Sequence, residues 1–311
     1  MKRIVITGPT GAIGTALIRE CIKRDIEVYA LCRPGSARIE RIPSDQHVHI
    51  VPCGLEDLKE LDTADIPKCD VFYHFAWAAT IGDGRNDMEL QTKNIQYALD
   101  AVGLADRTGC EAFVGSGSQA EYGRVEGKLT PATPAFPENG YGIAKLCAGQ
   151  MTRIECEKRG IRHVWTRILS VYGPGDGEMT MISGTIKKLL AGEEPPLTAG
   201  EQQWDYLYSK DAARAMLAAG EKGKNGKVYC VGSGKARPLK EYIIEMRDKI
   251  DPGLSLGFGK VPYGPRQVMY LCADISDLTQ DTGFVPETDF SEGIEETIQW
   301  VKGECKQHED D

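Results

Sequence analysis

Residues 2–31 read KRIVITGPTGAIGTALIRECIKRDIEVYAL, and this stretch decides the fold. Its first part, KRIVIT, is a nearly continuous apolar run, which is typical of a strand buried on both faces of a parallel sheet. Apolar residues then recur at helical spacing through TALIRECIKRD, and EVYAL has the composition of a second strand. We therefore predict a βαβ unit and an α/β fold with a doubly wound parallel sheet.

Three glycines, Gly8, Gly11 and Gly14, lie between the first strand and the helix. Glycine at these positions permits a tight turn, close approach of backbone N–H groups to a pyrophosphate, and close packing of the helix on the strand. The diphosphate would then lie at the positive end of the helix. This context predicts a Rossmann domain that binds a dinucleotide. The turn residues expected to contact it are Gly8, Thr10, Gly11, Ala12, Ile13 and Gly14.

The segment at 110–145 carries the residue types that proton transfer needs. Tyr141 and Lys145 are four residues apart in YGIAKLCAGQMTRIEC, which has helical periodicity, so both side chains should lie on one helix face. An ammonium beside a phenol favours the phenolate and lowers the pKa of the phenol. We predict that Tyr141 acts as a general acid or base and that Lys145 lowers its pKa.

A second Tyr-x-x-x-Lys pattern, Tyr206 to Lys210, shows that the spacing alone is weak evidence. It lies in WDYLYSKD, an alternating stretch that indicates a strand, where residues four apart are about 13 Å from each other. Context therefore selects Tyr141. Upstream of it, 112–114 is predicted to be a buried strand that leads into Gly115-Ser116-Gly117-Ser118. The hydroxyls would then lie at a strand's carboxyl end, where open α/β sheets bind ligands.

Composition argues against several classes of protein. The chain has 311 residues and a formal net charge of −9 at pH 7, and phosphate binding by a nucleic-acid partner would need a positive surface. No apolar run approaches the ~18 residues needed to span a bilayer, so we expect a cytoplasmic protein without a membrane segment. The ten cysteines and five histidines show no metal-ligand spacing. We expect buried reduced thiols and no metal.

The motifs occur in an order that resembles a known family. Thr7-Gly8-x-x-Gly11-x-x-Gly14, a later serine and Tyr141-x-x-x-Lys145 are similar to the extended short-chain dehydrogenase/reductases, often described as NAD-dependent epimerases/dehydratases. The likeness runs over almost the whole chain. It implies a dinucleotide-binding Rossmann domain at 1–170 and 205–233. It also implies a smaller, discontinuous substrate-binding region at 171–204 and 234–311, which holds a nucleotide-linked sugar.

The resemblance also implies which residues form the site. Counting back from Tyr122-Gly123 gives Ser118 as the serine that holds the substrate oxygen, with Ser116 as the alternative. The remaining cofactor contacts implied are Leu55, Phe75, Ala76, Trp77, Asn94, Tyr141, Lys145 and Ile168. The substrate contacts implied are Trp77, Ser116, Ser118, Gln119, Tyr141, Ser170 and Trp204.

Three positions depart from the family pattern. Gly54 stands in place of an aspartate that contacts the adenine, Ser170 in place of an asparagine, and Trp204 in place of an arginine near the sugar diphosphate. Arg266 lies on a Pro/Gly-rich loop, and the planar fork of an arginine suits a diphosphate. We predict that Arg266 contacts the substrate phosphates.

The loop after the second strand indicates which nicotinamide cofactor is used. An acidic residue there would bind the adenosine ribose and repel a 2′-phosphate, whereas arginine accommodates that phosphate. The chain has Arg33, Ser36 and Arg38 at this place. We predict NADP as the cofactor, with NAD possible.

The residues after Ser118 bear on the type of reaction. Sugar 4,6-dehydratases that this chain resembles carry Asp-Glu there, whereas this chain has Gln119-Ala120, which cannot transfer a proton. We therefore predict an NADP-dependent reductase acting on a keto group, at C4, of a nucleotide-linked sugar. The alternatives are a 4-epimerase with tightly bound NAD, a non-catalytic dinucleotide-sensing regulator, and a reductase of a carbonyl without a nucleotide.

Two further expectations concern assembly and the end of the chain. Relatives usually dimerise through a four-helix interface, and the helices predicted at 88–109 and 141–159 could form it in a homodimer. The last helix should be followed by a disordered acidic tail.

Overall fold

The computed structural model describes residues 1–307, and the acidic tail predicted from the sequence lies outside them. The strands are β1 (Arg3–Thr7), β2 (Glu27–Cys32), β3 (Val48–Pro52), β4 (Val71–His74), β5 (Ala112–Ser118), β6 (Arg162–Ile168), β7 (Ser170–Tyr172), β8 (Gln203–Trp204), β9 (Tyr206–Tyr208), β10 (Lys227–Val231), β11 (Arg237–Pro238) and β12 (Tyr270–Leu271). The helices are α1 (Ala12–Ile22), α2 (Met88–Arg107), α3 (Gly140–Arg159), α4 (Met181–Leu190), α5 (Ser209–Lys222), α6 (Leu239–Ile250), α7 (Ser276–Thr282) and α8 (Phe290–Gln307).

Seven parallel strands form the central sheet, in the order β10-β6-β5-β4-β1-β2-β3. The chain builds outward from β1 to β3 and then returns to place β4 on the other side of β1. This reversal leaves a crevice at the carboxyl ends of β1 and β4, where open α/β sheets bind ligands. The predicted doubly wound Rossmann sheet is confirmed.

The first strand shows why the sheet is covered on both faces. Ile4 and Ile6 are fully buried in the core on the side of α1 and α5, whereas Val5 is fully buried in the core on the side of α2. Burial on alternate faces requires apolar residues at every position, which accounts for the unbroken run in KRIVIT.

The fifth strand is longer than the sequence predicts. It continues to Ser118, because Gly115 pairs in parallel with Trp165 and Ser118 with Ile168 of β6. Glycine has a low strand propensity, so the sequence pattern placed the end of this strand at 114. The extension carries both serines along the sheet into the crevice.

A separate core lies outside the central sheet, between α4, α6 and α8. It contains Tyr172 and Tyr208, which come from the small two-stranded sheet of β7 and β9. A further small sheet has the order β11-β8-β12. Leu278 and Phe284 fall within the stretch that the sequence assigns to the substrate region, yet they pack in the core that covers α1 and α5.

Cysteine usage agrees with the sequence-based expectation. The nine cysteines whose side chains are described are unpaired, and all of them except Cys147 are buried. Among residues 1–307, no helix has an apolar stretch that could cross a bilayer.

Candidate active site

A cavity of about 330 Å³ lies at the carboxyl ends of β1, β4, β5 and β6. The glycine turn lines one side of it through Gly8, Gly11, Ala12, Ile13 and Gly14. The predicted catalytic residues Ser118, Tyr141 and Lys145 line it as well, together with Phe75, Trp77, Ser116 and Ile168. Residues far apart in the sequence therefore meet in one space, as the motif order predicts.

Two glycines of this turn leave no room for a side chain. Gly8 has φ +71°, and a Cβ there would approach the backbone nitrogen of Ala76 to 2.8 Å. A Cβ on Gly14 would collide with the carbonyl oxygen of Gly8. The open backbone at the start of α1 therefore fits the diphosphate of a dinucleotide, which needs close approach of N–H groups.

A hydroxyl fixes the neighbouring wall of the cavity. Thr7 Oγ1, at the end of β1, accepts hydrogen bonds from the backbone nitrogens of Phe75 and Ala76, each at 3.2 Å. These bonds hold the segment after β4 against the glycine turn. Phe75 lines the cavity, whereas Ala76 lies behind it.

Tyr141 lies in the first turn of α3, whose position is set by a side-chain cap. The Asn139 carboxamide oxygen accepts from the backbone nitrogen of Gly142 at 2.8 Å, which satisfies a free donor at the start of the helix. The Tyr141 ring meets the Trp77 ring edge-on with centroids 6.2 Å apart, and the Arg85 guanidinium lies 4.6 Å above it. The phenol is thereby held between the cavity and the loop after β4.

The predicted lowering of the Tyr141 pKa is wrong in direction. Burial raises the pKa of Tyr141 above its ordinary value, and the opposing influences come from the Ser118 hydroxyl and the Arg85 charge. Lys145 shares the helix face, and its Nζ lies 5.8 Å from the Tyr141 ring centroid while donating to the backbone oxygen of Ser116. Tyr141 is therefore a protonated phenol at neutral pH.

Lys145 is 3% exposed, and its ammonium has two close neighbours. Nζ donates to the backbone oxygen of Ser116 at 2.6 Å and lies 3.9 Å from the centroid of the Trp77 ring. Burial lowers the pKa of Lys145 from 10.5 to about 7, and the charge of Glu121 acts against this shift. The site thus holds an ammonium that titrates near neutral pH.

The two candidate serines have different roles in the structure. Ser116 Oγ donates to the backbone oxygen of His74 at 3.1 Å, so this hydroxyl is used to join β5 to β4. Ser118 Oγ accepts from the backbone nitrogen of Ala120 at 3.2 Å and interacts with Tyr141. Of the two, Ser118 is better placed to act beside the phenol.

Several predicted contacts do not line this cavity in the structure: Thr10, Arg33, Ser36, Arg38, Leu55, Ala76, Asn94, Gln119, Ser170, Trp204 and Arg266. Arg33 and Arg38 are exposed on the loop after β2. Asn94 is 1% exposed, and its side chain makes two hydrogen bonds to the backbone of Ala78. Asn94 Oδ1 accepts from the Ala78 nitrogen at 3.0 Å, and Asn94 Nδ2 donates to the Ala78 oxygen at 2.9 Å. Asn94 therefore holds the loop that carries Trp77.

Two of the three departures from the family pattern, Ser170 and Trp204, are partners. Trp204 Nε1 donates to Ser170 Oγ at 2.8 Å, so each side chain satisfies the other. Arg266 is exposed, and its Nη1 donates to the backbone oxygen of Glu138 at 3.4 Å. These three residues lie outside the walls of the cavity.

Other residues at the cavity were not found from the sequence: Thr80, Gly117, Leu169, Val171 and Asp176. Asp176 accepts from Thr180 Oγ1 and from the nitrogen of Gly177, each at 2.8 Å. Burial raises the pKa of its carboxyl group to about 6. The sequence signal that could have found it is Gly173-Pro174-Gly175, a turn that follows β7 and immediately precedes this residue.

Known proteins resemble this chain over nearly its whole length. A dTDP-4-dehydro-6-deoxy-D-allose reductase from Streptomyces bikiniensis is 23% identical over 97% of this chain and 96% of that protein. A UDP-N-acetylglucosamine 4-epimerase from Methanobrevibacter ruminantium M1, solved with UDP-N-acetylmuramic acid, has a TM-score of 0.87 at 24% identity, covering 97% of this chain and 99% of its own. A UDP-glucuronic acid 4-epimerase from Bacillus cereus, solved with NAD, has a TM-score of 0.84 at 21% identity, covering 98% of each chain.

The structural similarities establish the fold, and a family model establishes the relationship. The model of the NAD dependent epimerase/dehydratase family matches residues 4–232, which include the glycine turn, the two serines, Tyr141 and Lys145. This chain therefore belongs to the NAD dependent epimerase/dehydratase family.

Proposed function

We propose that this chain is an NADP-dependent oxidoreductase that reduces a keto group, at C4, of a nucleotide-linked sugar. The observation that carries the proposal is the single cavity in which the glycine turn meets Ser118, Tyr141 and Lys145. Support for a sugar nucleotide comes from the relatives, whose names describe reductases and epimerases of dTDP- and UDP-sugars.

Each of the three polar side chains has a chemical role in this proposal. The nicotinamide cofactor, when bound, supplies the hydride for the carbonyl carbon. Tyr141 donates its phenolic proton to the oxygen on which negative charge develops, and Ser118 hydrogen-bonds that oxygen. The Lys145 ammonium, held by Ser116 and Trp77, places positive charge near the reacting groups.

One feature of the sequence favours reduction over elimination of water. Gln119 and Ala120 follow Ser118, and neither can serve as an acid or a base. The phenol of Tyr141 could serve either remaining reaction, since a reductase needs it as a proton donor and an epimerase first needs it as a proton acceptor.

A 4-epimerase with tightly bound NAD is the second candidate. The two structural relatives described above are both named as 4-epimerases. The same serine, tyrosine and lysine would serve that reaction, because it passes through a keto sugar. A reductase consumes NADPH in proportion to product, whereas an epimerase interconverts two sugars without net change in the cofactor.

The proposal is tested by binding followed by turnover. Thermal shift with UDP-, GDP-, CDP- and dTDP-sugars in the presence of NADP will identify a nucleotide that stabilises the fold by mass action. NADPH oxidation is then measured with 4-keto forms of that nucleotide sugar. Binding with NADPH oxidation supports the reductase, and sugar interconversion without it supports the epimerase. Dinucleotide binding without either reaction would support a regulator, and oxidation only with carbonyls that lack a nucleotide would correct the substrate class.

The choice of cofactor gives a separate prediction. Arg33 and Arg38 are exposed at the end of β2, where a 2′-phosphate would accept charge-assisted hydrogen bonds. Replacement of both by alanine should raise the KM for NADPH by about 10-fold or more, the loss expected for such bonds. The KM for NADH should stay within about 2-fold, since NADH lacks the phosphate. A wild-type preference for NADH would contradict the prediction.

The predicted homodimer has an apolar face on α3 to support it. Ile143, Met151 and Ile154 are 52%, 41% and 46% exposed, and with Cys147 they follow one side of the helix. We expect Ile143→Asp to give a monomer, because a carboxylate cannot be buried unpaired in an interface.

Light scattering after size-exclusion chromatography measures the effect on assembly. Ile244→Asp on α6 is the matched control, since Ile244 is 37% exposed and lies on another surface. A monomeric wild-type protein, or dimers in both variants, would contradict the assignment of the α3 face.

A further inference from the structure

A fully buried carboxylate lies directly behind the candidate serine. Glu121 ends the short 3₁₀ turn Gln119–Glu121 that follows β5, and it is 0% exposed. Its partner Arg167, on β6, is 5% exposed. Buried charges in proteins are paired and hydrogen-bonded, so each of these residues depends on the other.

The carboxylate of Glu121 joins the ends of β5 and β6. Its Oε2 accepts from Arg167 Nε at 2.7 Å. Its Oε1 accepts from the backbone nitrogen of Ser118 at 2.8 Å and from Trp165 Nε1 at 3.0 Å. Because Ser118 Oγ in turn accepts from the nitrogen of Ala120, the serine and the glutamate form a reciprocal capping box.

The surrounding glycines leave room for this arrangement. A Cβ on Gly117 would overlap Glu121 Oε1 and Trp165 Nε1, and a Cβ on Gly115 would overlap the Trp165 ring. Gly115 and Gly117 are thus needed because the side chains of Glu121 and Trp165 fill the space behind β5. The position of Ser118 is determined from behind the sheet as well as from within the cavity.

We propose that Glu121 is a positioning residue, whose carboxylate holds the Ser118 backbone so that the serine hydroxyl faces Tyr141. The inference rests on the proposed function in so far as Ser118 acts on a substrate. Glu121 does not line the main cavity, and its direct contact with the proposed catalytic residues is the hydrogen bond from the Ser118 nitrogen. Displacement of a reacting group by about 1 Å can lower a rate by about 10²-fold, so the effect on turnover should be measurable.

Loss of Glu121 alone would leave Arg167 buried without a counter-charge and could prevent folding. We therefore compare two double variants, E121Q/R167M and E121M/R167M, in which both charges are removed. Glutamine and methionine have similar lengths, and the glutamine oxygen can still accept from Ser118 and Trp165. The two proteins differ in whether the Ser118 N–H and the Trp165 indole N–H have an acceptor.

Hydrogen exchange and kinetics are measured on both double variants. The Ser118 amide should exchange at least about 10-fold faster in E121M/R167M, because its hydrogen bond is lost. The Val114 amide, deep in β5, is the internal control and should exchange equally in both. With the substrate found for the wild type, kcat should be at least about 10-fold lower in E121M/R167M than in E121Q/R167M, with KM within about 2-fold.

The outcomes separate this inference from the proposed function. Equal Ser118 exchange in the two variants would overturn the inference, and so would faster exchange with equal kcat. A parallel rise in KM and fall in kcat, with faster Val114 exchange, would indicate general loosening and would also overturn it. If the wild type turns over no nucleotide-linked keto sugar, the proposed function fails, and the exchange comparison still decides whether Glu121 holds Ser118.

Discussion

Replacement of Tyr141 by phenylalanine is expected to lower turnover by at least about 10²-fold, the lower end of what general acid–base catalysis contributes. The change removes the phenolic hydroxyl and leaves the ring, so the edge-on contact with Trp77 and the position under Arg85 are retained. Cofactor binding should therefore be close to that of the wild type. Steady-state kinetics and cofactor titration measure the two properties.

Tyr206→Phe is the matched control for this experiment. Tyr206 has the same spacing to Lys210 as Tyr141 has to Lys145, but it lies on β9 and Lys210 pairs with Glu296. Its variant should keep a rate near that of the wild type. Near-normal turnover in Tyr141→Phe, or an equal loss in both variants, would refute the assignment of Tyr141 as the proton donor.

Replacement of Lys145 by methionine should have two effects of opposite sign. Turnover should fall by at least about 10²-fold, because the buried positive charge near the reacting oxygen is lost. Stability should rise at neutral and lower pH, because burial lowers the pKa of Lys145 to about 7 and holding the ammonium in the fold costs free energy. The hydrogen bond to Ser116 and the contact with Trp77 offset part of this cost.

The pH dependence of the stability follows from linkage. The pKa is about 7 in the folded chain and 10.5 when the lysine is free, so the unfolded chain binds more protons between these values. Stability therefore rises with pH in this window. The stabilisation by methionine should be greatest at about pH 7 and below, on the order of a few kcal/mol, and should fade towards pH ~10.5.

Urea unfolding at about pH 6.5 and about pH 10 measures this effect. Lys210→Met is the control, since Lys210 is half-exposed beside Glu296 and should show little stabilisation at either pH. A Lys145→Met protein that is destabilised at the lower pH would show that the ammonium contributes more to the fold than its burial costs. Retention of turnover in Lys145→Met would show that Lys145 has no catalytic role.

Local sequence patterns predicted the first βαβ unit and the parallel sheet of this protein. The run KRIVIT, the three glycines and the helix that follows them are marked by apolar period and glycine spacing within residues 2–22, so their pattern is readable without the rest of the chain. The same holds for Tyr141 and Lys145, whose helical spacing places both at the cavity. Period and spacing contain the information that such elements need.

Interactions across the fold were not predictable in this way. The predicted direction of the pKa shift of Tyr141 was wrong because burial, which a helix spacing does not report, outweighs the lowering by Ser118 and Arg85. Ser170 and Trp204 each depart from the family pattern. They are 34 positions apart, so the hydrogen bond between them could not be inferred from either residue alone. In the sequence, Glu121 cannot be distinguished from an ordinary charged residue in a loop. Its partners, Trp165 and Arg167, lie on β6, 44 and 46 positions later.

The fluorescence of the Trp77 indole should report whether a ligand occupies the cavity. The indole lines the cavity with the Lys145 ammonium 3.9 Å from its ring, whereas Trp165, Trp204 and Trp300 lie elsewhere. A reduced nicotinamide absorbs light in the range where indoles emit, so arrival of the cofactor should quench the emission of this side chain by energy transfer. Ligand entry can thus be followed in real time without an added label, and before any substrate has been identified.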